Sequence, residues 1–165
     1  MLVDPESAET LDVLGATVQV LTPPAGDHDP CVIRGAIPPH GFVPLHSHPD
    51  PETFVLLAGA VEGLGESERG LEWATLGAGD VFHVPGDARH AWRNPGAEPA
   101  VSLIATSARI GRFFREIGVP LEPGTAPAPP PPERVAKFLA VAERYGHWNA
   151  TPEENAAIGL TLPPG

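Results

Sequence analysis

Gly41-Phe42-Val43-Pro44-Leu45-His46-Ser47-His48-Pro49-Asp50-Pro51-Glu52-Thr53-Phe54-Val55-Leu56-Leu57-Ala58-Gly59 and, further along, Gly79-Asp80-Val81-Phe82-His83-Val84-Pro85-Gly86-Asp87-Ala88-Arg89-His90-Ala91-Trp92-Arg93-Asn94 are two short blocks rich in metal-ligating side chains. Between them His46, His48, Glu52 and His90 supply three imidazoles and one carboxylate, a nitrogen/oxygen set suited to a divalent transition metal. On a strand, alternate side chains share a face, so His46 and His48 point the same way. Glu52 shares their parity but follows Pro49-Asp50-Pro51, which reads as a loop, so parity alone does not place it. His90 has to be brought in from another hairpin. Imidazole binds metal through a neutral nitrogen and glutamate through an ionised carboxyl, so affinity is expected to fall in acid.

Outward from these blocks, the stretch from about Leu11 to Thr106 reads as a succession of short strands. Val13 to Leu21, Cys31 to Ile37, Thr53 to Ala58, Leu71 to Leu76, Val81 to Val84, Ala88 to Arg93 and Ala100 to Thr106 are separated by Pro and Gly signals. Gly63, Gly65 and Gly70 read as the punctuation of a mobile hairpin region. Strands at this spacing with no helix between them indicate an antiparallel sandwich or barrel. After Ser107 the pattern changes. Ile110, Phe113, Phe114 and Ile117 recur at helical spacing, with Gly118 as a stop. Thr125 to Pro132 is a proline-rich, extended connector. Glu133 to Tyr145 is a second amphipathic helix, with Val135, Phe138, Leu139 and Ala142 on one face. Thr151-Pro152-Glu153-Glu154 is a helix start with Thr151 as N-cap. The expected organisation is a β-barrel domain over residues 1–107 and a helical extension over 108–165, packed on the barrel and not a separate domain.

A chain of 165 residues is large enough for one domain with a real core. Its 22 prolines and 18 glycines favour short strands and turns over long helices. A net charge of −11 argues against nucleic acid or an anionic membrane as partner. The first sixteen residues lack the basic and apolar regions of a signal peptide, and no apolar run is long enough to span a membrane. The single cysteine, Cys31, excludes an intramolecular disulfide and reads as a small core residue, so a cytoplasmic location is expected. Nothing matches a nucleophile triad or a phosphate-binding glycine loop.

The two blocks resemble the paired motifs of the cupins, small jelly-roll β-barrels. The usual first motif runs Gly-x5-His-x-His-x(3,4)-Glu-x6-Gly; His46, His48, Glu52 and Gly59 match it, and Gly41 stands one residue too close. The usual second motif runs Gly-x5-Pro-x-Gly-x2-His-x3-Asn; Gly79, Pro85, His90 and Asn94 match, while Asp87 replaces the second glycine and Gly86 is expected to take over the turn. The resemblance implies a mainly β, cupin-type jelly-roll barrel with a helical C-terminal extension. It also implies a homodimer and one divalent transition metal (Fe, Mn, Ni, Co or Zn) held by His46, His48, Glu52 and His90. The chain looks similar to small quercetinase-like cupins, which implies a dioxygenase-like, oxygen-dependent oxidoreductase acting on a small organic, aromatic or enolic, substrate. Glu52 would then be both ligand and catalytic base. Two other readings are a metal-dependent isomerase, lyase or decarboxylase using Lewis-acid chemistry, and a non-enzymatic small-ligand-binding barrel.

Phe54 and Leu56 share parity with Glu52, and Trp92 with His90, so they are expected as substrate-pocket walls or as core packing. His83, on the strand entering the second block, is a further pocket candidate as a proton-handling or hydrogen-bonding group. Arg34 and Arg93 would bind an anionic substrate if they face inward. His28, His40 and His147 fall outside the motif spacing and are expected to face solvent; Trp73 and Trp148 read as packing or interface residues.

Overall fold

The computed structural model of the protein describes residues 1–162, so the last three residues of the expected extension lie outside the described residues. Among the described residues, twelve strands build two antiparallel sheets. In chain order they are β1 (Leu11–Val13), β2 (Ala16–Val20), β3 (Pro30–Ile37), β4 (Phe42–Ser47), β5 (Glu52–Ala58) and β6 (Ala60–Ser67). Then follow β7 (Gly70–Gly77), β8 (Val81–Val84), β9 (His90–Arg93), β10 (Ala100–Ser107), β11 (Val119–Pro120) and β12 (Trp148–Asn149). One sheet runs β11-β1-β2-β3-β10-β5-β8 and the other β12-β4-β9-β6-β7. The helices α1 (Ala108–Ile117), α2 (Pro132–Arg144) and α3 (Pro152–Ala157) follow the barrel strands. The mainly β architecture with a helical C-terminal portion is the one the strand signals predict. No helix among the described residues is long and apolar enough to cross a membrane.

Alternation sets the layers. Along β5, Glu52, Phe54 and Leu56 are buried while Thr53 and Val55 are less so, the pattern of a strand with one face on the core. Cys31 and Ile33 of β3 and Ile104 of β10 join Phe54 and Leu56 in the main core between the sheets. The stretch read as one strand from Val13 to Leu21 is broken by a turn at Leu14 and Gly15, both with positive φ. The region punctuated by Gly63, Gly65 and Gly70 is a hairpin, as read, and a regular one: β6 pairs with β7 from Ala60↔Gly77 to Ser67↔Gly70. Its glycines make room for aromatic rings. A Cβ on Gly63 would lie 2.8 Å from the Trp92 ring, and one on Gly65 2.9 Å from Phe82.

α1 is capped by the Ser107 side chain and buries Ile110, Phe113 and Ile117, as its spacing predicts. In α2 the buried residues are Val141 and Ala142, whereas Val135 and Leu139 of the expected apolar face are exposed. The helix is rotated so that Phe138, Val141, Ala142 and Tyr145 meet Phe113 and Ile117 of α1. α3 opens with the Thr151/Glu154 capping box. It docks on β4 through Asn155, whose Oδ1 accepts the Leu45 backbone N–H at 2.9 Å.

Candidate metal centre

Pairing between strands brings the four motif residues together. β4 and β9 place His46 directly opposite His90, after a register shift between Val43 and His46. β5, in the other sheet, begins at Glu52 opposite Val84 of β8. His48 lies one residue beyond the end of β4, in the loop that joins the two sheets. The imidazole centroids are 4.2 Å apart for His46–His90, 5.0 Å for His48–His90 and 5.6 Å for His46–His48. Each ring offers a nitrogen within 4.8 Å of the other two, so the three histidines can hold a metal ion. Glu52 Oε2 stands 3.4 Å from His48 Nε2 and 3.6 Å from His90 Nε2.

Backbone carbonyls orient all three rings. His46 Nδ1 meets the Pro44 carbonyl at 2.8 Å, His48 Nδ1 the Asp50 carbonyl at 2.8 Å and His90 Nδ1 the Ala88 carbonyl at 3.0 Å. A carbonyl can only accept, so each Nδ1 carries the hydrogen and the neutral ring presents its Nε2 lone pair to the centre. His90 Nε2 is buried and has no hydrogen-bond partner. Converging lone pairs beside a carboxylate need a cation or a proton between them, and a divalent transition metal meets that need.

The electrostatics point the same way. Burial pushes Glu52 up, but the close approach of the His48 and His90 imidazoles wins and holds the carboxyl well below the usual carboxylate range. Burial pushes His48 down, but the Glu52 carboxylate overrides it and leaves the imidazole above its ordinary value. Burial, then the neighbouring His90 and His48, push His46 well below the usual histidine range. The metal-free centre therefore keeps an ionised Glu52 and makes His48 a readier proton acceptor than an ordinary histidine, and a metal ion would displace any proton held there.

The loop carrying His48 is tied to the C-terminal portion. Asp50 accepts from Ser107 Oγ and, at 2.9 Å, from Arg109. Arg109 also donates to the Tyr145 carbonyl. After Gly146, whose φ is +74°, the chain enters β12, which adds to the edge of β4 with Asn149 opposite His46. His147, expected to face solvent, instead sits at the centre. Its ring is 5.0 Å from His48 and 4.3 Å from Phe113, and its Nε2 is buried with no partner. Burial, then the proximity of His48 and Arg109, push its pKa down to about 4, so it is neutral at physiological pH. The only sequence trace of this role is the alternation His147-Trp148-Asn149 after a helix-ending glycine, too short to read as a strand.

A cavity of about 190 Å³ opens beside the histidines. Val43, Phe54, Trp92, Ile104, Phe113 and Phe138 supply apolar walls, and His147, Asn149, Ser102 and Thr17 polar points. No arginine or lysine is among its described lining residues. Phe54 and Trp92 thus line it, with ring centroids 4.4 Å apart. Leu56 does not; it is 1% exposed and belongs to the core farther along β5. His83 does not either, because it pairs with Thr53, whose side chain faces away from Glu52 and Phe54. It is exposed and its Nδ1 meets Thr53 Oγ1 at 2.9 Å.

Arg34 pairs with Glu6, and Arg93 with Glu62 while stacking over Trp73, so neither faces the cavity. Trp73 packs, donating to the Ile158 carbonyl at 3.1 Å; Trp148 is partly exposed and faces outward. His28 and His40 are exposed. In the second block the positive φ is taken by Asp87 itself, at 65°, and not by Gly86. Gly86 answers a different need, since a Cβ there would stand 2.3 Å from the Pro49 carbonyl oxygen. Asn94 is a buried staple, donating to the carbonyls of Ile37, Pro38 and Glu98.

Residues 34–106 match the family described as Cupin domain, and the two antiparallel sheets have the fold of solved cupin structures. No curated protein matches it. Among solved structures it is similar to the polyketide cyclase RemF from Streptomyces resistomycificus, at 17% identity over 66% of this chain and 79% of the other, TM-score 0.56. It is also similar to a sugar phosphate isomerase from Silicibacter pomeroyi, at 20% identity over 65% and 75%, TM-score 0.54. A third is a predicted oxalate decarboxylase from Thermotoga maritima, at 19% identity over 65% and 98%, TM-score 0.53. Identities this low speak to fold alone.

Proposed function

We propose that this cupin-domain protein is a metal-dependent oxidoreductase that uses O2 to oxidise or cleave a small, uncharged, largely apolar substrate bearing an enolic or phenolic oxygen. The observation that carries the reading is the pairing of the three-histidine centre with an aromatic-walled cavity whose described lining holds no cationic side chain. A phosphorylated sugar or a small dicarboxylate would enter that cavity with only the metal, and no cationic side chain, to neutralise its charge.

Glu52 is proposed as the fourth ligand, since its carboxylate stands against His48 and His90 and stays ionised. A bound Fe, Mn, Ni or Co ion would supply Lewis acidity and a site for O2. The protein's part is to orient and to dehydrate. The Pro44, Asp50 and Ala88 carbonyls fix the imidazoles, Phe54 and Trp92 exclude water from the apolar body of the substrate, and the Glu52 carboxylate takes the proton of its hydroxyl.

Redox-neutral Lewis-acid chemistry is the second reading. It is favoured by the same cavity, and the fold is one shared by a polyketide cyclase, an isomerase and a predicted decarboxylase. Metal analysis of untagged protein, together with Glu52→Gln, followed by O2-uptake assays with flavonols and other enolic or phenolic compounds, separates the two. Turnover with stoichiometric O2 consumption supports the oxidoreductase, whereas conversion without O2 uptake replaces it with the second reading. Failure to retain any metal after reconstitution leaves a ligand-binding barrel. The homodimer expected from the resemblance is tested by light scattering on the same preparation.

A further inference from the structure

Nothing in the two cupin motifs accounts for His147. It lies beyond residues 34–106 and reaches the centre only because β12 joins the edge of β4. Alternation along this short segment turns the partly exposed Trp148 outward and leaves His147 and Asn149 lining the cavity, Asn149 in register with His46. The position is fixed from both sides. Arg109 holds the Tyr145 carbonyl, two residues before His147, and also Asp50, two residues after His48. One guanidinium thus sets the distance between the metal-binding loop and the segment that carries His147. Packing on Phe113 explains where the ring sits but not its chemistry, for Nε2 is buried without a partner. A buried polar nitrogen left in that condition is costly, and an apolar side chain would pack there without the cost.

Resting on the metal-centre reading above, we propose that His147 is a substrate-binding, specificity-determining residue whose Nε2 hydrogen-bonds a hydroxyl of the substrate close to the oxygen held at the three histidines. The substrate class narrows accordingly, to neutral compounds with two neighbouring oxygen functions, such as a catechol or a 3-hydroxy-4-ketone of the flavonol type. A hydroxyl suits the imidazole in either tautomer, as donor or as acceptor.

The test uses full-length protein loaded with zinc, which is redox-inert, so that binding is read without turnover. Two absorbing probes are titrated, a flavonol with a free hydroxyl beside its ketone and its 3-O-methyl ether, against wild type, His147→Phe and His147→Gln. His147→Phe keeps a ring against Phe113; His147→Gln keeps hydrogen-bonding capacity. The expected result is that His147→Phe weakens the hydroxylated probe about tenfold, the scale of one buried hydrogen bond. The methyl ether is affected little, His147→Gln restores part of the loss, and zinc stoichiometry is unchanged in all three.

Equal weakening of both probes would overturn the proposal and make His147 a packing residue. Loss of zinc in both variants would overturn it differently and make His147 a ligand. In either case the metal-centre reading stands. Failure of zinc-loaded wild type to bind any of a panel of hydroxylated probes would overturn the substrate reading, and this proposal with it.

Discussion

Replacing Asn155 with alanine tests whether the C-terminal portion is docked on the ligand-bearing sheet as described. Asn155 is fully buried, and its Oδ1 accepts the Leu45 N–H at 2.9 Å, one residue before His46. Its Nδ2 donates to the Thr151 carbonyl at 3.0 Å and the Ala150 carbonyl at 3.3 Å. The three bonds do not count equally. The Thr151 carbonyl keeps the Asn155 backbone N–H at 3.0 Å in the variant, so it loses little. The Leu45 N–H lies on a residue 3% exposed and loses its acceptor outright. One buried donor left unpaired costs about 1–3 kcal/mol, and truncation adds a smaller term for the lost packing. A total of about 2–4 kcal/mol lowers the melting temperature of a chain this long by roughly 5–15 °C. Thermal denaturation of the metal-free protein by circular dichroism measures the total, and native-state amide exchange at Leu45 identifies its source. A loss under about 1 kcal/mol, with Leu45 exchange unchanged, would refute the docking of α3 through this side chain.

Three further outcomes are expected. His90→Ala removes a buried ring and with it one of the three imidazole donors, so metal stoichiometry by mass spectrometry falls to near zero; the wild type gains about 2.7 kcal/mol at a hundredfold excess of metal over Kd, a rise of roughly 5–11 °C that the variant lacks. Because the His48 pKa is raised by Glu52, more of it is protonated near neutrality than for an ordinary histidine, so metal binding releases a proton there, and both the release and the acid-side loss of affinity fade as pH rises past that raised value; calorimetry in two buffers of different ionisation enthalpy measures this, and no buffer dependence near pH 6.5 would contradict the proton placement. Gly63→Ala pushes a methyl to 2.8 Å from the Trp92 ring, costing about 1–3 kcal/mol and moving a cavity wall, so melting temperature and near-UV dichroism should both change; neither changing would mean that β6 does not pass under that ring.

The parts of this protein legible in the sequence are those set within one or two adjacent strands. His46 and His48 are two residues apart, so strand parity alone puts them on one face, and Thr151 with Glu154 announces the start of α3 from four consecutive residues. What failed depended on pairing partners. His83 sits beside a motif proline, but only its register against Thr53 shows that it faces out. Gly63 and Gly65 have the composition of a turn, and nothing local says that the rings of Trp92 and Phe82 occupy the space they leave. α2 offers two overlapping apolar stripes, and the choice between them is made by Phe113 of α1, whose ring lies 6.0 Å from that of Phe138.

The same distinction runs through the candidate site. Its three-histidine half comes from β4, the loop after it and β9, all inside residues 34–106, where the motif spacing carries the information. The half that meets the proposed substrate draws on segments outside that range: Phe113 and Phe138 from α1 and α2, His147 and Asn149 from β12, Val13 from β1. No motif spacing marks these segments as cavity walls, because each reaches the cavity through its packing or pairing with distant parts of the chain. A barrel whose candidate ligands are internal and whose cavity wall is supplied in part from its ends could keep its metal site while its substrate changes with those outer segments. On this argument specificity is altered by substitutions after residue 106, at Phe113, Phe138 and His147, with metal content unchanged, whereas substitutions at His46, His48 and His90 remove the metal for every substrate alike.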